Sequence, residues 1–257
     1  MNAGPGRPCR PRTDQAVPAQ AGAVLTLLRH GQSVWNRDGR FTGWADVGLS
    51  ERGRAEAARA GRLLARTGLR VDVCVASMLA RAAQTTEIAL GELGQPGLRV
   101  ERTWRLNERH YGALEGLRVW TALRRYGPRR VLRCRRRADA RPPRLRPGDP
   151  RHPSRDPRYA ATAPEALPRG ESLVETEARL LPYWESRIAP ELARGRHVLV
   201  VSHKHALRVL LAALRRRAPG CIPPLRVSTG VPLVIRLGHE DLDALAGGGA
   251  RAAGSAS

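Results

Sequence analysis

The run Leu27-Leu28-Arg29-His30-Gly31-Gln32-Ser33 follows an apolar stretch, Ala23-Val24-Leu25-Thr26, so a buried strand gives way at once to a guanidinium, an imidazole and a glycine. Arginine grips phosphate through a planar fork of N–H donors, and glycine lets backbone approach an anion closely. An imidazole titrates near neutral pH and serves as nucleophile or proton carrier. These residue types, at the carboxyl end of a strand, stand where an open α/β sheet places its ligands. Phosphate chemistry at His30 is the expectation.

Strands and helices must alternate to hold such a site. Ser50 reads as an N-cap with Glu51 in the first turn of a helix through Ala57, Ala60, Leu63 and Leu64, stopping near Gly68. Val71 to Ala76 reads as a short strand, with Ser77 capping a helix that carries Arg81, and Leu98 to Glu101 as another strand. The capping box Ser172-Leu173-Val174-Glu175 opens a long helix towards Leu192, which Pro182 should bend or divide. His197 to Ser202 reads as a fully buried strand, His205 to Arg215 as the helix behind it, and Val231 to Leu237 as a last strand. Alternation of this kind predicts a mostly parallel sheet covered on both faces.

A formal charge of +22 points first to a polyanionic partner. Two observations oppose that reading. Arginine far outnumbers lysine beside abundant alanine, as a codon-usage bias would produce, and aromatic content is 4% with Phe41 the only phenylalanine, too few stacking platforms for single-stranded nucleic acid. No specific nucleic-acid partner is expected. Cys9, Cys74, Cys134 and Cys221 form no Cys-x-x-Cys pair, so no metal site or disulfide framework is suggested and reduced thiols in a cytoplasmic protein are the reading. No apolar run approaches a membrane span, and no membrane association is expected. Residues 1–22 read as a disordered basic extension, 23–240 as one catalytic domain, and 241–257 as a low-complexity tail. Arginine and proline dominate 124–168, which on composition alone is a solvated loop or disordered insert.

The segment His30-Gly31-Gln32-Ser33-Val34-Trp35-Asn36 through Arg40-Phe41-Thr42-Gly43-Trp44-Ala45-Asp46 resembles the start of cofactor-dependent phosphoglycerate mutases, within the histidine phosphatase superfamily. Leu49-Ser50-Glu51-Arg52-Gly53, Trp104 to Gly112, Glu171-Ser172-Leu173 and Thr229-Gly230-Val231-Pro232 continue it collinearly, from about Val24 to about Leu237. The resemblance implies a three-layer α/β sandwich with a mostly parallel central sheet flanked by helices, and an ordered insertion at 124–168 that roofs the site. It implies His30 as the phosphorylated nucleophile, Arg29 and Arg81 as phosphate ligands, His203 as the second catalytic histidine and Glu108 as the proton carrier, its pKa raised if burial acts on it. Ser33, Asn36, Thr42, Gly43, Tyr111, Arg135, Arg136 and Lys204 match positions that hold substrate. A structural ion pair of Glu108 with Arg105 or Arg109 is the competing reading. The implied activity is metal-free interconversion of 3- and 2-phosphoglycerate, a small phosphorylated substrate, primed by 2,3-bisphosphoglycerate. Homodimers or homotetramers are the implied assemblies.

Two departures stand out. Lys204-His205-Ala206 follow His203 where the family has Gly-Asn-Ser, and Val119 aligns with a substrate-binding lysine, leaving Arg118 one position away. Lysine at 204 should be strained if the backbone there needs positive φ. A phosphomonoester hydrolase and a catalytically impaired, basic anion-binding homologue remain the alternatives to a mutase.

Overall fold

The structure is a computed structural model and describes residues 22–215, 222, 227–238 and 240–242. Apart from residues 22, 241 and 242, the expected terminal extension and tail lie outside the described residues, as do Cys9 and Cys221.

Five strands, β1 (Val24–Arg29), β2 (Val73–Ser77), β3 (Val100–Thr103), β4 (His197–Ser202) and β5 (Leu233–Arg236), form one sheet in the order β3-β2-β4-β1-β5. All neighbours are parallel except the edge strand β5, antiparallel to β1. β2, β3 and β5 each begin two residues later than the apolar runs suggested. For β2 the cause is visible: Val71 is buried, but its N–H donates to Gln95 Oε1 rather than joining the ladder.

Strand alternation sends side chains to two cores. Leu25, Leu27, Val198 and Val200 pack with Leu180 of α6 (Leu173–Tyr183) and Leu207 and Leu210 of α8 (Lys204–Leu214). Leu28, Cys74, Leu199 and Val201 face Ala60 and Leu64 of α2 (Glu51–Ala65) and Ala89 and Leu90 of α3 (Ala80–Glu92). The result is the three-layer arrangement. Pro182 does divide the helix opened by the Ser172–Glu175 capping box: α6 passes through a π-helical turn, Trp184–Ile188, before α7 (Ala189–Ala193).

Residues 124–168 are folded, which composition alone did not suggest. After α1 (Val34–Arg37) and the elements above, α4 (Val119–Tyr126) and α5 (Pro128–Arg136) meet at Gly127, φ +80, with Pro128 at the first helical position. Val131 and Cys134, three apart, turn inward onto Phe41, Leu114 and Ala122 while the neighbouring arginines stay outside. Tyr159 and Leu167 anchor the rest against Trp44. Few apolar residues suffice when their spacing is helical.

The loop after β1 lies directly on the first turn of α2. Ser50 Oγ accepts from Gly53 N at 3.1 Å, and a Cβ on Gly53 would stand 2.0 Å from Gln32 O. Gly53→Ala should therefore cost about 1–3 kcal/mol, whereas Gly91→Ala, with nothing within 4 Å of the added carbon, should be neutral or stabilising. Urea denaturation of the two variants checks this, and equal midpoints would refute the close approach.

Candidate active site

The parallel strands deliver their carboxyl ends to one edge of the sheet. Arg29 pairs with Ser202 in the β1–β4 ladder, so His30 and His203, the next residues on each strand, emerge side by side with ring centroids 4.8 Å apart. Ser77 ends β2, and Asn107 and Glu108 follow β3 through the 3-10 turn Trp104–Leu106 to the same edge.

Hydrogen bonds fix each imidazole tautomer. His30 Nδ1 lies 2.7 Å from Gly31 O, which can only accept, so Nδ1 carries the proton and Nε2 keeps its lone pair. Burial, then Arg81 and Arg29, pull the His30 pKa well down, leaving a neutral ring. His203 Nε2 lies 2.8 Å from Ser77 Oγ. Ser77 donates its own proton to Asn107 Oδ1 at 2.7 Å, and Asn107 Nδ2 donates to Tyr159 OH at 2.9 Å. Ser77 Oγ must then accept from His203 Nε2–H, which leaves Nδ1 as a buried lone pair without a partner. Burial, then Arg81 and His30, hold His203 neutral as well. Ser77 thus steadies His203 instead of capping α3; Leu79 is the N-cap residue, and Asp46 Oδ1 accepts from Ala80 N at 2.6 Å.

A cavity of about 340 Å³ opens in front of His30. It is lined by six cations, Arg29, Arg40, Arg81, Arg109, Arg135 and Lys204, against one carboxylate, Glu108. Arg81 is 1% exposed and donates to Gly43 O at 2.7 Å and Ala45 O at 2.9 Å; burial lowers its pKa to about 10, still charged at neutral pH. Nε of Arg29 and Arg81, Nε and Nη2 of Arg109, Thr42 Oγ1 and His203 Nδ1 are buried without partners. An anion rich in acceptor oxygens satisfies the guanidinium and hydroxyl donors among them.

Asn36, Thr42, Gly43, Tyr111, Arg135 and Lys204 line this cavity; Ser33 and Arg136 do not. Ser33 is fully buried as the N-cap of α1, its Oγ accepting from Asn36 N at 3.1 Å. Arg136 lies exposed on α5, because one helical step from Arg135 turns the side chain by about 100°. Val119, the first residue of α4, lies on the cavity, while Arg118, its N-cap in extended conformation, is exposed outside it. Gly31 does not present its N–H to an anion either: that N–H donates to Thr85 Oγ1 at 3.1 Å, and the missing side chain is required because a Cβ would meet Gly53 O at 2.1 Å. Lys204 begins α8 in ordinary helical conformation, so the strain anticipated for it is absent.

Glu108 departs from expectation in its charge. Burial alone would raise its pKa, but the contact with His205 and the Arg109 N–H hold it well below the usual carboxylate range. Neither Arg105 nor the Arg109 guanidinium pairs with it; the Arg109 side chain donates to Cys134 O at 2.8 Å and lies over the Tyr111 ring at 4.8 Å. Arg109 is a site residue that the sequence reading missed.

Behind the cavity, Glu115 Oε1 accepts from Trp44 N at 2.8 Å and Tyr111 N at 3.0 Å, tying down the loop whose carbonyls hold Arg81. Burial pushes the Glu115 carboxyl up to about 8 and His110, 3.3 Å away, down to about 3, so both are neutral at pH 7. The unfolded chain releases the Glu115 proton near pH ~4.3. Between that point and about 8 the folded state binds the extra proton, and stability falls as pH rises. Glu115→Gln keeps the acceptor and has no proton to lose. Its melting temperature should decline less than that of wild type between about pH 5 and pH 8; parallel declines would show that Glu115 does not titrate there.

Among the described residues no helix is long and apolar enough to cross a membrane, and no group of three or more metal-ligating side chains occurs. The chain is 46% identical to 2,3-bisphosphoglycerate-dependent phosphoglycerate mutase 1 of Nitrosomonas europaea over 216 residues, 84% of this chain and 92% of that one. It is 49% identical to the 2,3-bisphosphoglycerate-dependent phosphoglycerate mutase of Clavibacter michiganensis subsp. michiganensis over 226 residues, 88% and 89% of the two chains. Among solved structures it is similar to a mycobacterial glucosyl-3-phosphoglycerate phosphatase, with 29% identity, TM-score 0.62 and coverage of 82% and 91%. It is also similar to Bacillus stearothermophilus YhfR, with 25% identity, TM-score 0.63 and coverage of 85% and 93%. The sequence profile of the histidine phosphatase superfamily (branch 1) matches residues 25–152 and 146–242. With that match spanning the strands, both central histidines and the cavity in front of His30, which His203 does not itself line, the chain belongs to the histidine phosphatase superfamily.

Proposed function

We propose that this chain is a 2,3-bisphosphoglycerate-dependent phosphoglycerate mutase that interconverts 3- and 2-phosphoglycerate through a phosphohistidine at His30. One observation carries the reading: a neutral imidazole with a free Nε2 shares a cavity with an ionised carboxylate and six cations. The bisphosphorylated cofactor, when bound, supplies the phosphoryl group that primes His30. The donor set fits such a polyanion, because Arg29, Arg81 and Arg109 hold unpartnered N–H groups inside while Arg135 and Lys204 are exposed on the cavity.

From the phosphorylated enzyme, the substrate hydroxyl oxygen attacks phosphorus and its proton passes to Glu108. The P–N electron pair returns to His30 Nε2. In the opposite half-reaction Nε2 attacks phosphorus and Glu108 returns the proton to the departing oxygen, so atoms and charge balance. His203 Nδ1 is the unpartnered group left to meet the transferring oxygens, where the arriving negative charge favours its protonated, donating form.

An enolase-coupled assay with and without 2,3-bisphosphoglycerate tests the activity. The labelled cofactor should leave an acid-labile, base-stable label that His30→Ala abolishes and His203→Ala slows by about 100-fold. A label persisting in His30→Ala would overturn the assignment. Phosphomonoester hydrolysis is the second reading, favoured by the apolar Val119 on the cavity and by the likeness to a solved phosphatase. Inorganic phosphate release exceeding isomerisation would decide for it.

Lys204 is the only lysine in the chain. An amine-directed reagent should therefore modify Lys204 and the chain's N-terminus alone, and 2,3-bisphosphoglycerate should protect Lys204. Labelling at an unchanged rate would place the cofactor away from it.

A further inference from the structure

His205, in the first turn of α8, holds Glu108 from two sides. Its backbone N donates to Glu108 Oε1 at 3.2 Å, and its Nδ1 lies 3.1 Å from the same oxygen. Arg109 N donates to Oε1 as well, at 2.9 Å. A carboxylate oxygen only accepts, so His205 Nδ1 must carry the proton and Nε2 the lone pair. Three donors occupy Oε1, while Oε2 accepts no hydrogen bond among the described residues and the side chain lines the cavity. The imidazole is itself held, buried at 8% exposure with its ring edge-on to Tyr111 at 6.2 Å.

We propose that His205 is a positioning residue for proton transfer: it pins Glu108 Oε1 and leaves Oε2 as the oxygen that exchanges a proton with the substrate hydroxyl. The proposal rests on the reading of Glu108 as proton carrier. A bare carboxylate could rotate and present either oxygen; this one cannot without breaking three hydrogen bonds. The contact also favours the ionised form, since a donor bonded to a carboxylate lowers its pKa. Other charged and titratable groups facing Glu108 come from every neighbouring element: Arg29 at the end of β1 and His30 after it, Arg81 of α3, Arg109 and Tyr111 of its own loop, His203 after β4, and Lys204 and Arg208 of α8. His205 and the Arg109 N–H hydrogen-bond the Glu108 carboxylate, all at Oε1.

Two variants and one spectrum test this. His205→Ala removes the side-chain donor, so the acid limb of the kcat–pH profile should move up by about one pH unit. His205→Asn keeps an amide donor near the Nδ1 position and should restore the limb to within about a third of that shift. Superimposable wild-type and His205→Ala profiles, or an Asn variant no better than Ala, would overturn the proposal. Formation of phospho-His30 is measured in all three proteins: if wild type takes up no label, the mutase reading itself fails, whereas normal labelling with an unmoved acid limb sinks only the role of His205. Independently of turnover, 15N-histidine spectra of wild type must show His205 as the Nδ1–H tautomer; the Nε2–H tautomer would exclude the contact.

Discussion

The parallel register of β1 against β4 is the constraint on which the rest depends. Pairing Arg29 with Ser202 makes the two histidines neighbours at the sheet edge. Because side chains alternate in a strand, a slip of one residue would reverse which of them faces the cavity. The buried cores on both faces forbid that slip: Leu25 and Leu27 belong to one core, Leu28 to the other, and exchanging them would put Thr26 among leucines. Hydrophobic burial on both faces thus fixes which side chains the strands present at the sheet edge.

Against that frame the cation cluster is costly. A buried donor or acceptor left without a partner costs on the order of 1–3 kcal/mol, and six such atoms converge here. Stability is therefore given up locally where these groups gather, a pattern common at functional sites. The chain's overall charge of +22 has a different distribution: the arginines of α5 other than Arg135 lie on exposed surface away from the cavity, whereas Arg81 and Arg109 are buried at it. Net charge and site charge are separate features, and only the second has a geometric partner in His30.

The sequence carried much of this. Apolar runs located the strands to within two residues, since burial and periodicity are local signals, and β4 and the capping box at Ser172 appear as read. The Arg-His-Gly triplet pointed to the end of β1, where the cation-lined cavity opens. What remained hidden depends on contacts distant in sequence. Ser77 looked like a helix cap because its partners, Asn107 and His203, lie 30 and 126 residues away. Gly31 looked like an anion cradle, yet its need for hydrogen comes from Gly53 packed on it. The charge of Glu108 was misjudged because burial and hydrogen bonding oppose each other, and the deciding donor, His205, lies 97 residues on.

The link from Tyr159 through Asn107 and Ser77 to His203 joins the insertion to the chemistry. Tyr159 stacks on Trp44 at 5.3 Å, and Trp44 N is held by the same Glu115 oxygen that receives Tyr111 N. Each donor in the chain has one acceptor, and its direction is forced: Met78 N and Ser77 Oγ both give to Asn107 Oδ1, so the amide must turn its nitrogen to Tyr159. That orientation compels Ser77 to accept from His203 and so leaves Nδ1 free. The proline- and arginine-rich insertion therefore does more than cover a cavity. Its one buried tyrosine terminates the hydrogen-bond chain that decides which nitrogen of His203 is left without a partner.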